Sequence, residues 1–151
     1  MAYLTHAIPG TPFHYARLYE DYGLRDAAEM LRELAATNAS LTGHSVMCDV
    51  RDGRVKMAFD EIYELARVFR ECGHVFTGVR WSVIVPGVLE YGIARSAGLM
   101  VEAVPFEYHV TQNADVACTW AGVPVRLLQR WRSAAIASSE AELSLSGLVG
   151  T

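Results

Sequence analysis

The 151-residue sequence predicts an α/β fold: a mixed, mostly parallel sheet of about five strands with helices packed on it. The predicted order is β-β-α-β-α-β-α-β-α, followed by a C-terminal helical extension. Two patterns carry this prediction. Short β-branched runs alternate with amphipathic helical stretches, and crossovers of that length join parallel neighbours in a right-handed sense. At the N-terminus, a proline-flanked turn between two β-rich runs adds an antiparallel component.

The elements follow in order. Residues 2–8 and 13–19 read as a hairpin around the turn Pro9–Pro12. Residues 24–36 read as a helix, because Leu24, Ala27, Ala28, Leu31, Leu34 and Ala35 recur at spacings of three and four. Ser45–Val50 reads as a buried strand closed by the turn Arg51–Gly53. Residues 58–71 form the second helix, which Cys72-Gly73 should end with glycine in the left-handed conformation.

The next strand, 79–85, contains Val83, Ile84 and Val85, a run typical of a central parallel strand. Pro86 sits where a helix would begin. That helix, 88–97, is rich in small residues, which suggests close approach to the sheet, and Gly98 should end it. Residues 106–111 alternate as the last strand. The short helix 113–120 should turn Val116, Ala117 and Trp120 inward.

A final helix, 125–137, carries Leu127, Leu128, Trp131 and Ala135 on one side, and 138–151 reads as a loose Ser/Gly-rich tail. The sheet domain is complete near Gly122. The chain therefore divides into an α/β domain, 1–122, and a C-terminal helix and tail, 123–151. The helix needs a surface to cover, either its own domain or a second copy. The second option makes Leu127, Leu128 and Trp131 oligomer contacts and the protein a homodimer.

Composition excludes several function classes. Apolar residues at 52% and charged residues at 20% rule out disorder of the whole chain. A net charge of −4, with Lys56 the one lysine, argues against a nucleic-acid partner, which must neutralise phosphates. No secretory signal and no apolar stretch of membrane-spanning length is visible. The expectation is a cytoplasmic protein without stable membrane insertion. Cys48, Cys72 and Cys118 are widely spaced and read as reduced, buried thiols.

Four sequence runs carry a resemblance: 81–86 (WSVIVP), 91–95 (YGIAR), 106–110 (FEYHV) and 114–120 (ADVACTW). Together with the element order, they resemble the STAS superfamily of anti-sigma factor antagonist-like domains. The closer likeness is to a branch of small, uncharacterised bacterial proteins, and it covers about residues 13 to 122. The resemblance implies a non-catalytic module for protein contact or regulation, often dimeric. Signalling members carry a phosphorylatable serine in the turn after the third strand. Here residues 49–58 (DVRDGRVKMA) contain no Ser or Thr, so that switch is not carried over. The sheet layout also resembles CRAL-TRIO lipid-binding domains.

Chemical motifs are sparse. His6, His14, His44, His74 and His109 are scattered without metal-ligand spacing, and neither a metal nor a cofactor is expected. A nucleophile built from Cys48 with His109 would sit in mid-strand, where a thiolate lacks stabilisation. Asp49, Asp52, Glu90 and Glu102 supply carboxylates that the spacing does not pair. A minor enzyme using Cys48 or a carboxylate is the weakest reading. The strand-end rim of Arg51, Asp52, Pro86, Gly87, Tyr91, Gln112 and Asn113 is where a ligand or partner would meet backbone N–H groups. A small apolar or acidic ligand between helices and sheet is the alternative to a protein-interaction role.

Overall fold

The computed structural model describes residues 2–101 and 104–149, with residues 140–149 described as backbone alone. Its elements are β1 (Tyr3–Ala7), β2 (Phe13–Leu18), β3 (Glu20–Gly23), α1 (Leu24–Ala36), β4 (Ser45–Asp49), β5 (Gly53–Lys56) and α2 (Phe59–Glu71). They continue as α3 (Gly73–Phe76), β6 (Arg80–Ile84), α4 (Val88–Met100), β7 (Glu107–Thr111), α5 (Ala114–Ala121) and α6 (Val125–Val149). Five strands form one sheet in the order β1-β2-β4-β6-β7. β1 pairs antiparallel with β2, and every other pair is parallel. The mixed, mostly parallel sheet expected from the sequence is therefore the fold observed.

Alternation along the strands sends side chains to two cores. Ala16, Leu18, Val46, Cys48, Trp81 and Val83 face the layer of α1, α2 and α4. Phe69 of α2 meets the Trp81 ring edge-on at 5.3 Å. On the opposite face, Tyr15, Met47 and Ile84 pack under α5 and α6 with Ala117, Leu128 and Ala135.

The C-terminal helix thus covers its own sheet. Leu128 is 1% exposed and is not available as an oligomer contact. Trp131 is half-buried, with its ring 6.1 Å from Phe13 and 6.3 Å from Tyr15. Leu127 is also half-buried. The expected loose tail is likewise corrected: the helix continues to Val149. The final two residues of that tail, and the candidate carboxylate Glu102, lie outside the described residues.

Further corrections are local. A second sheet pairs β3 with β5 in parallel. Glu20, at φ 56°, turns the chain out of β2, and its N–H donates to the Asp52 carbonyl at 3.3 Å. Gly53 is required where β5 begins, because a Cβ there would come within 2.7 Å of the Tyr22 ring. Gly73 opens α3 instead of providing a left-handed stop; that conformation falls at Gly78, φ 77°.

Pro86 precedes the helix it was expected to begin, and Gly87 is the N-cap of α4. Gly98 lies within α4, where it permits close approach to the Tyr108 ring, and the helix runs on to Met100. In α5, Val116 faces outward at 47% exposure while Cys118 is buried. Among the described residues, no helix is long and apolar enough to cross a membrane.

Candidate functional site

Two constructions stand out, one on each face of the sheet. The first is an apolar cleft under α4. It lies between α1, α2 and the strands, has a volume of about 70 Å³, and is lined by Met30, Phe69, Val83, Ile93, Ala94 and Ala97 among others. The small residues of α4 leave this space. Ala97 is the one fully buried residue of that helix, whereas α1 and α2 each bury five. Helix α4 is therefore held by few apolar anchors.

Glu90 contributes the single carboxylate of the lining. The Tyr108 hydroxyl donates to the Ala94 carbonyl at 2.8 Å and ties α4 to β7. Burial raises the Tyr22 and Tyr108 phenols above their ordinary values, so both stay neutral. Cys48 also lines the cleft. Burial, with the Asp49 charge second, pushes its thiol up to about 12. A thiol in that state is a poor nucleophile at neutral pH.

The second construction is a charged network where β2 and β4 end, beneath α6. Asp49 is 1% exposed. It accepts a hydrogen bond from the Tyr15 hydroxyl at 2.9 Å. It also accepts a fork from Arg51, with Nε to Oδ1 and Nη2 to Oδ2 both at 2.8 Å. The Arg51 backbone N–H adds a third contact to the Arg51–Asp49 pair at 3.2 Å. Burial and the Asp49 charge raise the Tyr15 phenol, which therefore remains a donor.

Asp52 is shared. Arg17 reaches it at 3.3 Å from β2, and Arg132 of α6 grips it with Nε at 3.2 Å and Nη2 at 2.6 Å. Burial pushes the Asp52 carboxyl up, but the hydrogen bonds and charges of Arg132 and Arg17 outweigh it, and the group titrates below its ordinary value. Arg17 itself is 5% exposed and lies over the Tyr19 ring at 4.7 Å.

The strand-end residues predicted from the sequence do not form one site. Arg51 and Asp52 belong to the charged network. Tyr91, Gln112 and Asn113 line a separate open depression with Val88, Val110 and Thr111. The Asn113 side chain caps α5, accepting from the N–H groups of Asp115 at 2.9 Å and Val116 at 3.3 Å. Pro86 is exposed and Gly87 half-buried in the short link into α4. Arg17, Arg132 and Tyr15 were missed by sequence reasoning. The available signal was Arg17 itself, a charge inside a strand that is otherwise apolar after His14. Among the described residues, no cluster of three or more His, Cys, Asp or Glu side chains could hold a metal ion.

No family profile matches this sequence, and no curated protein resembles it significantly. Among solved structures, it is similar to an uncharacterised DUF3478-family protein with a SpoIIAA-like fold from Shewanella loihica PV-4. The TM-score is 0.53 at 14% identity, over 80% of this chain and 92% of that one. At that identity the likeness speaks to fold alone. The fold is SpoIIAA-like, and this is the STAS-like fold that the sequence resembled.

Proposed function

We propose that this chain is a non-catalytic STAS-like regulatory module whose effector is a small apolar molecule held under α4. The observation that carries this reading is the cleft of about 70 Å³, lined mainly by apolar side chains beneath a helix with one fully buried anchor. Apolar surface removed from water supplies roughly 25 cal/mol per Å² on both sides of such a contact. A cavity of this size takes a few heavy atoms, and a longer chain would lift α4. Displacement of a weakly anchored helix is a natural signal for a binding module.

The test is a titration of isotope-labelled protein with 1-hexanol, read by the methyl resonances of Ile93, Ala94 and Ala97. The reading expects saturable shifts at these methyls and along α4, with those of Ile93 and Ala94 lost in Ala97→Leu. Unchanged methyl shifts in a folded wild-type chain overturn it.

A second reading, protein contact, is favoured by exposed apolar side chains on the first turns of α2 and α4. Phe59 is 68% exposed, Val88 82% and Leu89 65%. The helices pack together and both begin at the C-terminal edge of the sheet. A partner docking here would bear directly on α4, which fits a regulatory role.

A further inference from the structure

We propose that the open edge of β7 takes up an extended, acidic segment of a partner protein as an added strand. The proposal is independent of the cleft and rests on the backbone. β7 is an edge strand of the five-stranded sheet, paired with β6 alone among the described residues. The Glu107 N–H donates to the Val79 carbonyl at 2.9 Å, and the Thr111 carbonyl accepts from Val85 at 3.0 Å. Peptide groups alternate along a strand, so those of Tyr108 and Val110 point away from β6. Their N–H and C=O groups form a ready ladder for another strand.

Natural edges are usually blunted by proline, lysine, a bulge or a covering segment. Within β7 there is neither proline nor lysine, and the register against β6 is unbroken from Glu107 to Thr111. The one acidic side chain of β7, Glu107, is neutralised by Arg80 at 3.0 Å.

Two open depressions follow this edge. One, of about 410 Å³, lies between α4 and β7, lined by Tyr91, Arg95, Leu99, Tyr108 and Val110 among others. The other, of about 400 Å³, continues past Val110 to Gln112 and Asn113. The α4 wall is a stripe of Tyr91, Arg95 and Leu99 at helical spacing. Leu99 is 57% exposed.

Charge selects the occupant. Arg95 is exposed and has no ion pair among the described residues, so the groove presents one uncompensated cation beside the unpaired backbone. A second copy joined by a two-fold axis through β7 would run α4 antiparallel to its mate and bring Arg95 against Arg95. That like-charge contact disfavours self-association through the edge. An extended segment with alternate apolar residues and a carboxylate facing Arg95 satisfies the ladder, the stripe and the charge together.

The experiment pans a displayed library of random heptapeptides on the full chain. It repeats the panning on Arg95→Glu and on Val110→Pro, each first matched to wild type by circular dichroism and thermal melting. Peptides selected on wild type should be acidic with alternating apolar residues, and should slow amide exchange at Tyr108 and Val110. Arg95→Glu should weaken them about tenfold and select basic peptides instead. Val110→Pro should abolish enrichment; if it fails to fold, the exchange data and Arg95→Glu still decide. Failure to enrich peptides, enrichment without acidic preference, or no protection of the two amides overturns the proposal. So does a wild-type chain that sediments as a dimer and that Val110→Pro makes monomeric.

Discussion

The Tyr15 hydroxyl on β2 donates to Asp49 on β4 at 2.9 Å, across a parallel strand pair in which both side chains are 1% exposed. The carboxylate is fully enclosed, and the Arg51 fork supplies its countercharge. Removing one partner of a buried ion pair strands the other, at a cost of about 3–5 kcal/mol. Arg51→Ala, which strands the enclosed Asp49 carboxylate, should lower stability by that order in urea unfolding. Tyr15→Phe removes a single neutral donor and leaves the fork intact, so about 1–2 kcal/mol is expected. Equal losses in the two variants would contradict this ranking.

Arg132 joins α6 to the β4–β5 turn through Asp52. The Asp52 carboxyl is held below its ordinary value of 3.8 in the folded chain, so the unfolded chain takes up the proton first. Its contribution is complete above roughly pH 5 and is lost as pH falls through the folded value. Arg132→Ala should flatten the acid limb of a stability–pH curve and speed amide exchange across 125–139. An unchanged acid limb would mean that Arg132 does not set this titration.

His14 behaves in the same sense at higher pH. Its ring is 4% exposed and lies 2.9 Å from a ring nitrogen of His44. Burial, then the His44 charge, lowers its titration below 6.5. The unfolded chain therefore binds the proton first, and stability is lost as pH falls from 6.5 toward the folded value. His14→Gln should remove that part of the slope between pH 7.5 and 5.5. His44→Gln should remove only the smaller, charge-derived share.

Gly98 lies so close to the Tyr108 ring that any Cβ would overlap it. Gly98→Ala should push α4 outward and cost about 1–3 kcal/mol by overpacking, despite alanine's better helix propensity. A stabilised Gly98→Ala protein, read by thermal unfolding, would show that the helix moves without penalty.

Cys48 should resist alkylation by iodoacetamide at pH 8 in the native chain and react fully in urea, because burial pushes its thiol up to about 12. Fast native labelling at this position, followed by peptide mass spectrometry, would contradict its burial.

The main sheet was legible because Val83, Ile84 and Val85 and the helical spacing from Leu24 to Ala35 are strong local signals. The β3–β5 ribbon was not. Its four-residue strands lack an apolar run, and their pairing depends on the left-handed turn at Glu20 and the Tyr22 ring over Gly53. The strand-end rim does not form one site, because alternation sends neighbouring residues to opposite faces. Asp49 thus joins the network beneath α6, while Cys48 lines the cleft beneath α4. The pairing of Asp49 with Tyr15 spans 34 positions, and that of Asp52 with Arg132 spans 80. No local pattern encodes either.

The placement of Leu128 and Ala135 over Tyr15, Met47 and Ile84 also orders events during synthesis. The strands that own this face are complete once Ile84 has been added, but the helix that shields it follows some fifty residues later. At 5–20 residues per second this interval is roughly 3–10 s. Over that time a growing chain carries an apolar sheet surface that α5 covers in part and α6 completes. A chain truncated before Leu128 should accumulate with ribosome-associated chaperones or aggregate, even though its β-strands are all present.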